Sequence, residues 1–100
     1  MKLKAIYDDV EARVISKVNE EDLIKHIRMV YNMDGCKDLL VRIPNDIKNA
    51  LFSPKEICSW YDEYDCNDTH ITTLFRKIIQ ENYREGWRIL KAYSTETTKW

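Results

Sequence analysis

The sequence predicts one α+β domain in which a single mixed or antiparallel sheet packs on helices. Three observations favour this class: apolar residues alternate near the N-terminus, two helix-start motifs lie in the second half, and the composition is 44% hydrophobic and 33% charged. That balance is typical of a folded globular chain, and 100 residues suffice for one modest core. We therefore expect one domain over residues 1–93 and a flexible polar tail over residues 94–100.

The first 18 residues alternate with a period of two, which is typical of half-buried strands. The inward positions are Leu3, Ala5 and Tyr7 on a first strand and Val10, Ala12, Val14 and Val18 on a second. The Asp8-Asp9 pair between them is short enough for a hairpin link. The segment is therefore predicted to form a β-hairpin.

A helix and a third strand are predicted next. Asn19 can cap the helix, acidic residues fill its first turn, and Gly35 suits a left-handed C-terminal cap. The strand follows because Leu39, Val41 and Ile43 alternate before Pro44, which cannot continue a central ladder. This ββαβ order over residues 1–43 resembles the opening of the ubiquitin-like β-grasp fold, and the resemblance implies one sheet packed on a helix.

The second half predicts two or three helices and a closing strand. A short helical turn carries Ile47, Ala50 and Leu51, and Ser53-Pro54-Lys55-Glu56 forms a capping box with proline at the first helical position. Asn67 or Asp68 caps a last long helix that ends near Gly86. The segment Trp87–Tyr93 is predicted to close the sheet.

No catalytic, cofactor or metal site is predicted. The chain has two glycines, both expected at helix ends, so it lacks a glycine-rich phosphate loop. Cys58, Cys66 and His70 are the clustered soft ligands, but they lack the paired spacing of structural zinc. A Cys66–His70 nucleophile pair would lack a marked oxyanion donor and orienting residue. We expect no enzymatic activity.

The cellular location is predicted from absent signals and from the cysteines. No apolar run approaches the roughly 20 residues that span a bilayer, and the N-terminus has no secretory apolar segment. Three cysteines, an odd number without scaffold spacing, are typical of free thiols. A cytoplasmic protein is the expectation, whereas the oligomeric state cannot be predicted.

The most distinctive segment is both acidic and aromatic. Its candidate partner-binding residues are Trp60, Tyr61, Asp62, Glu63, Tyr64, Asp65 and Asp68. One interpretation is a helix with an aromatic inner face and a solvated acidic outer face. The other is a patch that docks on a basic protein surface, including one that otherwise holds nucleic acid. We predict a small non-enzymatic protein-binding module or inhibitor that acts through this segment.

A winged helix-turn-helix DNA-binding regulator is the alternative prediction, because residues 47–93 have the order helix, helix, turn, long helix, strand. The recognition helix would run from about Thr69 to Tyr83. Its candidate DNA-binding residues are Thr69, His70, Thr72, Thr73, Arg76 and Lys77. Charge disfavours this alternative, because residues 44–69 carry two basic and six acidic side chains, although residues 70–100 carry six basic and three acidic ones.

Overall fold

The computed structural model describes residues 3–34 and 38–95, and within these residues the chain forms six α-helices and no strand. The helices are α1 (Leu3–Lys17), α2 (Glu20–Asp34), α3 (Leu39–Leu51), α4 (Pro54–Tyr64), α5 (Asp68–Asn82) and α6 (Arg84–Thr95). The predicted α+β class, with its sheet packed on helices, is therefore wrong. The described part of the chain is all-helical.

The predicted N-terminal hairpin is the single helix α1, and Asp8-Asp9 lies inside it. Ile6, Val10 and Val14 recur every four residues and are all buried, so they form a helical stripe. The exposure of Ala12 in the structure decides between a strand and a helix. Period two places it on the same face as Val10 and Val14, whereas the structure exposes it to solvent.

The predicted third strand and the short turn after it are one helix, α3. Leu39, Ile43 and Ile47 again recur every four residues and are buried. The resemblance to the β-grasp opening therefore does not hold, because neither the hairpin nor the return strand forms. Only the helix of the predicted ββαβ unit is confirmed.

Pro44 lies inside α3, where the sequence predicted a strand end. Proline has no N–H, so the carbonyl of Leu40, one turn earlier, loses its helical donor. Arg76 supplies a replacement, because its Nε donates to the Leu40 carbonyl at 3.1 Å. A side chain of α5 therefore compensates for the proline and joins α3 to α5.

The predicted closing strand Trp87–Tyr93 is also wrong, because it lies within α6. The Tyr93 ring stacks on Tyr31 of α2 with centroids 4.3 Å apart. At the other end, a Glu20 carboxylate oxygen accepts from the Glu85 N–H at 3.0 Å. The helix continues through Thr95 and buries Ser94, and residues 96–100 of the predicted tail lie outside the described residues.

The predicted helix starts are confirmed by their caps. Asn19 Oδ1 accepts from the Asp22 N–H at 2.8 Å, and Ser53 Oγ accepts from the Glu56 N–H at 3.2 Å. Asn67 caps α5, which ends at Asn82 and not near Gly86. The predicted cap at Gly35 lies outside the described residues.

Helix α5 occupies the centre of the fold and packs against α1, α3 and α6, while α2 lies along α6 and touches α3. Its buried apolar residues are Ile71, Leu74, Phe75, Ile78 and Ile79. The largest of them, Phe75, has no exposed surface and meets the Phe52 ring edge-on at 5.7 Å. No helix among the described residues has the length and apolarity required to cross a membrane.

Lysine substitutions in α1 distinguish the helix from the hairpin. Val14→Lys buries an unpaired charge and should lower the free energy of unfolding by about 3 kcal/mol or more. Ala12→Lys makes the same charge change at an exposed position and should stay within about 0.5 kcal/mol of wild type. Urea unfolding measures both. Equal destabilisation by the two variants would contradict the helix.

Candidate functional site

The acidic-aromatic segment runs along α4 and into the start of α5, and its tryptophan belongs to the core. Trp60 is 9% exposed, and its ring meets Phe52 edge-on with centroids 5.0 Å apart. Phe52 lies just before α4 and is itself buried. Trp60 therefore anchors α4 and offers a partner little surface.

The two tyrosines of the segment are half-buried. The Tyr61 hydroxyl donates to Asp68 Oδ1 at 2.9 Å, and burial together with this bond raises the pKa of Tyr61 to about 12. Burial also raises the pKa of Tyr64, and the nearby carboxylates of Glu63 and Asp9 raise it further. Both phenols are therefore neutral near pH 7.

The acidic side chains of α4 point outward. Asp62, Glu63 and Asp65 are exposed, and Asp65 ends α4 in the left-handed conformation with φ 50° and ψ 48°. Asp9 of α1 is exposed too and is close enough to influence the Tyr64 phenol. We call this set the acidic-aromatic surface. Its members are Asp9, Tyr61, Asp62, Glu63, Tyr64 and Asp65.

Sequence reasoning missed Asp9 as part of this surface. The alternating pattern placed it in a hairpin link between two strands. Only the packing of α1 places its charge near enough to raise the pKa of Tyr64. A helical interpretation of Ile6, Val10 and Val14 would have shown that Asp9 lies outside the buried stripe of α1, but not that its charge lies near Tyr64 of α4.

Asp68 has a different role from the other carboxylates, because it binds a buried lysine. Lys48 Nζ lies 2.6 Å from Asp68 Oδ1, and the Lys48 side chain is 6% exposed whereas that of Asp68 is 66% exposed. The hydrogen bonds from Lys48 and Tyr61 hold the pKa of Asp68 below its usual value. Asp68 thus joins α3, α4 and α5 at one point, and nothing in the sequence marked Lys48 as its partner.

The neighbouring cysteine and histidine are engaged in structural contacts. His70 Nδ1 accepts from the Asn67 N–H at 3.1 Å as part of the α5 capping box. Cys66 is buried, its thiol donates to the Trp60 carbonyl at 3.5 Å, and burial raises the pKa of the thiol. A raised pKa disfavours the nucleophilic thiolate. Among the residues that the structure describes, no three His, Cys, Asp or Glu side chains are grouped to hold a metal ion.

Three of the candidate DNA-binding residues make contacts inside the fold. Thr72 is buried, and its hydroxyl lies 2.8 Å from Asn45 Oδ1. Arg76 donates to the Leu40 carbonyl, and His70 closes the capping box. Thr72 and Arg76 join α5 to α3, and His70 stabilises the first turn of α5.

The other three candidates face solvent. The Thr73 hydroxyl donates to the Thr69 carbonyl at 2.9 Å, one turn earlier in α5. Lys77 Nζ lies 4.0 Å from Glu81 and 5.3 Å from the centre of the Tyr7 ring. The exposed part of α5 therefore offers one lysine, already beside a carboxylate, and no strand is present among the described residues to form a wing.

Comparison with known proteins does not assign the chain to a family. No family model, curated protein or solved structure matches the chain.

Removal of the Asp68 carboxylate should destabilise the protein, because it leaves the buried Lys48 charge without its partner. We expect Asp68→Asn to lower the free energy of unfolding by roughly 1–3 kcal/mol, less than for a fully buried pair because Asp68 is largely exposed. Lys48→Met in the Asp68→Asn background should recover part of that loss, as measured by urea unfolding. A double variant no more stable than Asp68→Asn would show that the ion pair is not the cause. Asp62→Asn is the control and should be neutral.

The lowered pKa of Asp68 also predicts a pH dependence. Its folded pKa lies below the unfolded value of about 3.9, so the carboxylate stabilises the protein above that pH and loses this effect as pH falls through the folded pKa. The difference in unfolding free energy between wild type and Asp68→Asn should be constant above about pH 5.5 and shrink below about pH 4. Urea unfolding across this range measures it, and a difference that grows towards acid pH would refute the assignment.

Proposed function

We propose that this protein is a small non-enzymatic protein-binding module or inhibitor, and that the acidic-aromatic surface is its contact surface. The observation that carries the proposal is a pair of half-buried tyrosines on α4 next to exposed carboxylates of the same helix, with the Asp9 carboxylate of α1 near enough to raise the pKa of Tyr64. Aromatic residues at the centre with charges around them are typical of specific interfaces.

The surface is suited to a basic partner. Asp9, Asp62, Glu63 and Asp65 are exposed, so their negative charges favour encounter with lysines and arginines. Tyr61 is already fixed by its bond to Asp68, which lowers the entropy lost on binding. A protein surface that otherwise holds nucleic acid has the complementary charge, and an inhibitor would occupy it.

The cytoplasmic location is part of this proposal. Cys58 and Cys66 are free thiols, which is typical of a reducing compartment. The buried, protonated Cys66 and the capping role of His70 support a non-enzymatic function. Cys36 lies outside the described residues.

The DNA-binding alternative has weaker support. Helix α5 is the central helix of the core, and three of its six candidate residues are engaged within the fold. A recognition helix instead presents one open side to the major groove. The exposed Thr69, Thr73 and Lys77 are the residues on which this alternative still relies.

Reversal of two charges on the acidic-aromatic surface should abolish partner capture. We expect tagged wild-type protein to retain a basic protein from its native cell extract, and Asp62→Lys with Glu63→Lys to weaken that complex by about 100-fold or more, because like charges meet across the interface. The partner is identified by mass spectrometry and the affinity is then measured with purified proteins.

The matched control for this experiment carries the same charge change elsewhere. Glu21→Lys with Glu85→Lys alters exposed carboxylates on α2 and α6, and it should retain the partner. Circular dichroism and urea unfolding establish that both double variants are folded. Equal retention by the surface variant would refute the proposed contact surface. Salt-sensitive DNA retardation that is lost in Lys77→Ala would support the alternative instead.

A further inference from the structure

Helices α2 and α6 lie side by side and run in the same direction. Near their starts Gly86 packs on the Leu23 side chain, which would lie 2.8 Å from a Cβ at that position, and near their ends Tyr31 stacks on Tyr93. The two pairs are separated by 63 and 62 positions, so residues with that separation lie level on the two helices. The exposed sides of α2 and α6 therefore combine into one surface, and neither helix contributes to the acidic-aromatic surface.

This combined surface is rich in basic side chains. Two of them, Lys25 and Arg28, are exposed on α2 and lie three positions apart. Three more are exposed on α6, at the i, i+4 and i+7 spacing that keeps side chains on one side of a helix: Arg84, Arg88 and Lys91. Lys25 lies level with Arg88, and Arg28 with Lys91, because each pair is 63 positions apart. We call these five residues the basic surface.

Two carboxylates lie among these cations. Glu21 is exposed one turn before Lys25, and Glu85 accepts from Arg88 Nε at 3.1 Å. The bond from Arg88, together with the charges of Arg88 and Arg28, holds the pKa of Glu85 below its usual value. The other four cations form no ion pair among the described residues. Positive charge therefore predominates here, although the whole protein has a net charge of −1.

The composition of the basic surface indicates which kind of ligand fits it. No large apolar side chain of the described residues is exposed on it, because the exposed Met29 and Met33 lie on the side of α2 that faces α3. That side is marked by His26, three and seven positions earlier, which lies 3.7 Å from Asp46 of α3. The core of a specific protein interface is rich in apolar and aromatic residues, which this surface lacks. Clustered lysines and arginines without such a core are typical of surfaces that bind phosphates.

We propose that the basic surface binds the sugar–phosphate backbone of duplex DNA without reading its bases. The side chains of Lys25, Arg28, Arg84 and Lys91 bind phosphate oxygens, while Arg88 stays beside Glu85. Contacts to phosphates carry no sequence information, so unrelated sequences bind alike. This surface is separate from the outer side of α5. The proposal goes beyond the proposed function and does not rest on it.

Fluorescence anisotropy with the full chain and two labelled duplexes of about 20 base pairs and unrelated sequence tests the proposal. Both duplexes should bind with the same dissociation constant, in the micromolar range at about 50 mM salt. The logarithm of the affinity should fall with the logarithm of the salt concentration at a slope of about −3.6, as expected for four neutralised phosphates. Absence of binding at low salt, or a tenfold preference for one sequence, overturns the proposal.

Two double variants locate the binding. Lys25→Glu with Lys91→Glu should weaken it at least about 30-fold, and both positions are exposed and without ion pairs among the described residues, so the fold should persist. Lys17→Glu with Lys55→Glu makes the same change in net charge at exposed positions of α1 and α4, and it should weaken binding about threefold or less. Circular dichroism and urea unfolding establish that both variants are folded. Equal losses in the two variants, or no loss in the first, overturn the proposal.

Competition experiments distinguish DNA from other anionic partners. Neither poly-glutamate nor vesicles of phosphatidylcholine and phosphatidylserine in equal parts should displace the duplex at a matched concentration of negative charge. Displacement by poly-glutamate would favour an acidic protein, and displacement by vesicles would favour a membrane surface. Lys77→Ala should leave binding unchanged, because α5 is not used. Displacement by either competitor, or loss of binding in Lys77→Ala, overturns the proposal.

Discussion

The apolar side of α5 meets α1, α3 and α6 at once, and it is the main contact of α1 and α3, whereas α6 also packs on α2 and α3. Phe75 lies at the middle of this side and is fully enclosed. Because a domain of this size has one core, a helix that serves three neighbours fixes their relative positions. The arrangement leaves only the outward side of α5 for other roles, which is why half of the candidate DNA-binding residues contact other parts of the fold or the start of α5.

The same central helix organises the acidic-aromatic surface through its first residue. Asp68 starts α5, and it binds Lys48 of α3 and Tyr61 of α4. A lysine with its side chain almost wholly buried needs a fixed counter-charge, and the tyrosine hydroxyl reaches the same oxygen. The end of α4 is thereby held in one orientation, with Asp62 and Glu63 directed to solvent.

Local signals in the sequence predicted the helix starts, because a cap involves residues only three positions apart. Asn19, Ser53 and Asn67 each accept the hydrogen bond that their position predicted. The strands were predicted wrongly because short apolar alternation coincides with a four-residue repeat. Val10 and Val14 satisfy both patterns, and the exposed Ala12 between them has too small a side chain to distinguish them.

Tertiary features left no local signal. Pro44 predicted a strand end, but Arg76, far along the chain, satisfies the carbonyl that the proline frees. The pairing of Lys48 with Asp68 and the approach of Asp9 to Tyr64 likewise join distant segments. The acidic and aromatic composition of α4 was visible in the sequence, whereas the division between buried anchors and exposed charges required the packing of α1, α3 and α5.

That division bears on how a basic partner would be recognised. Asp68 already receives hydrogen bonds from Lys48 and Tyr61, so a partner cation that approached it would have to compete with both. Asp62 and Asp65 are exposed and carry no such internal bond among the described residues. A lysine or arginine of a partner would therefore form a stronger ion pair with these two carboxylates than with Asp68. Such an ion pair would break no bond that stabilises the fold. Under the proposed function, Asp68 fixes the surface, and the other acidic residues of this segment would be the ones to contact a basic partner.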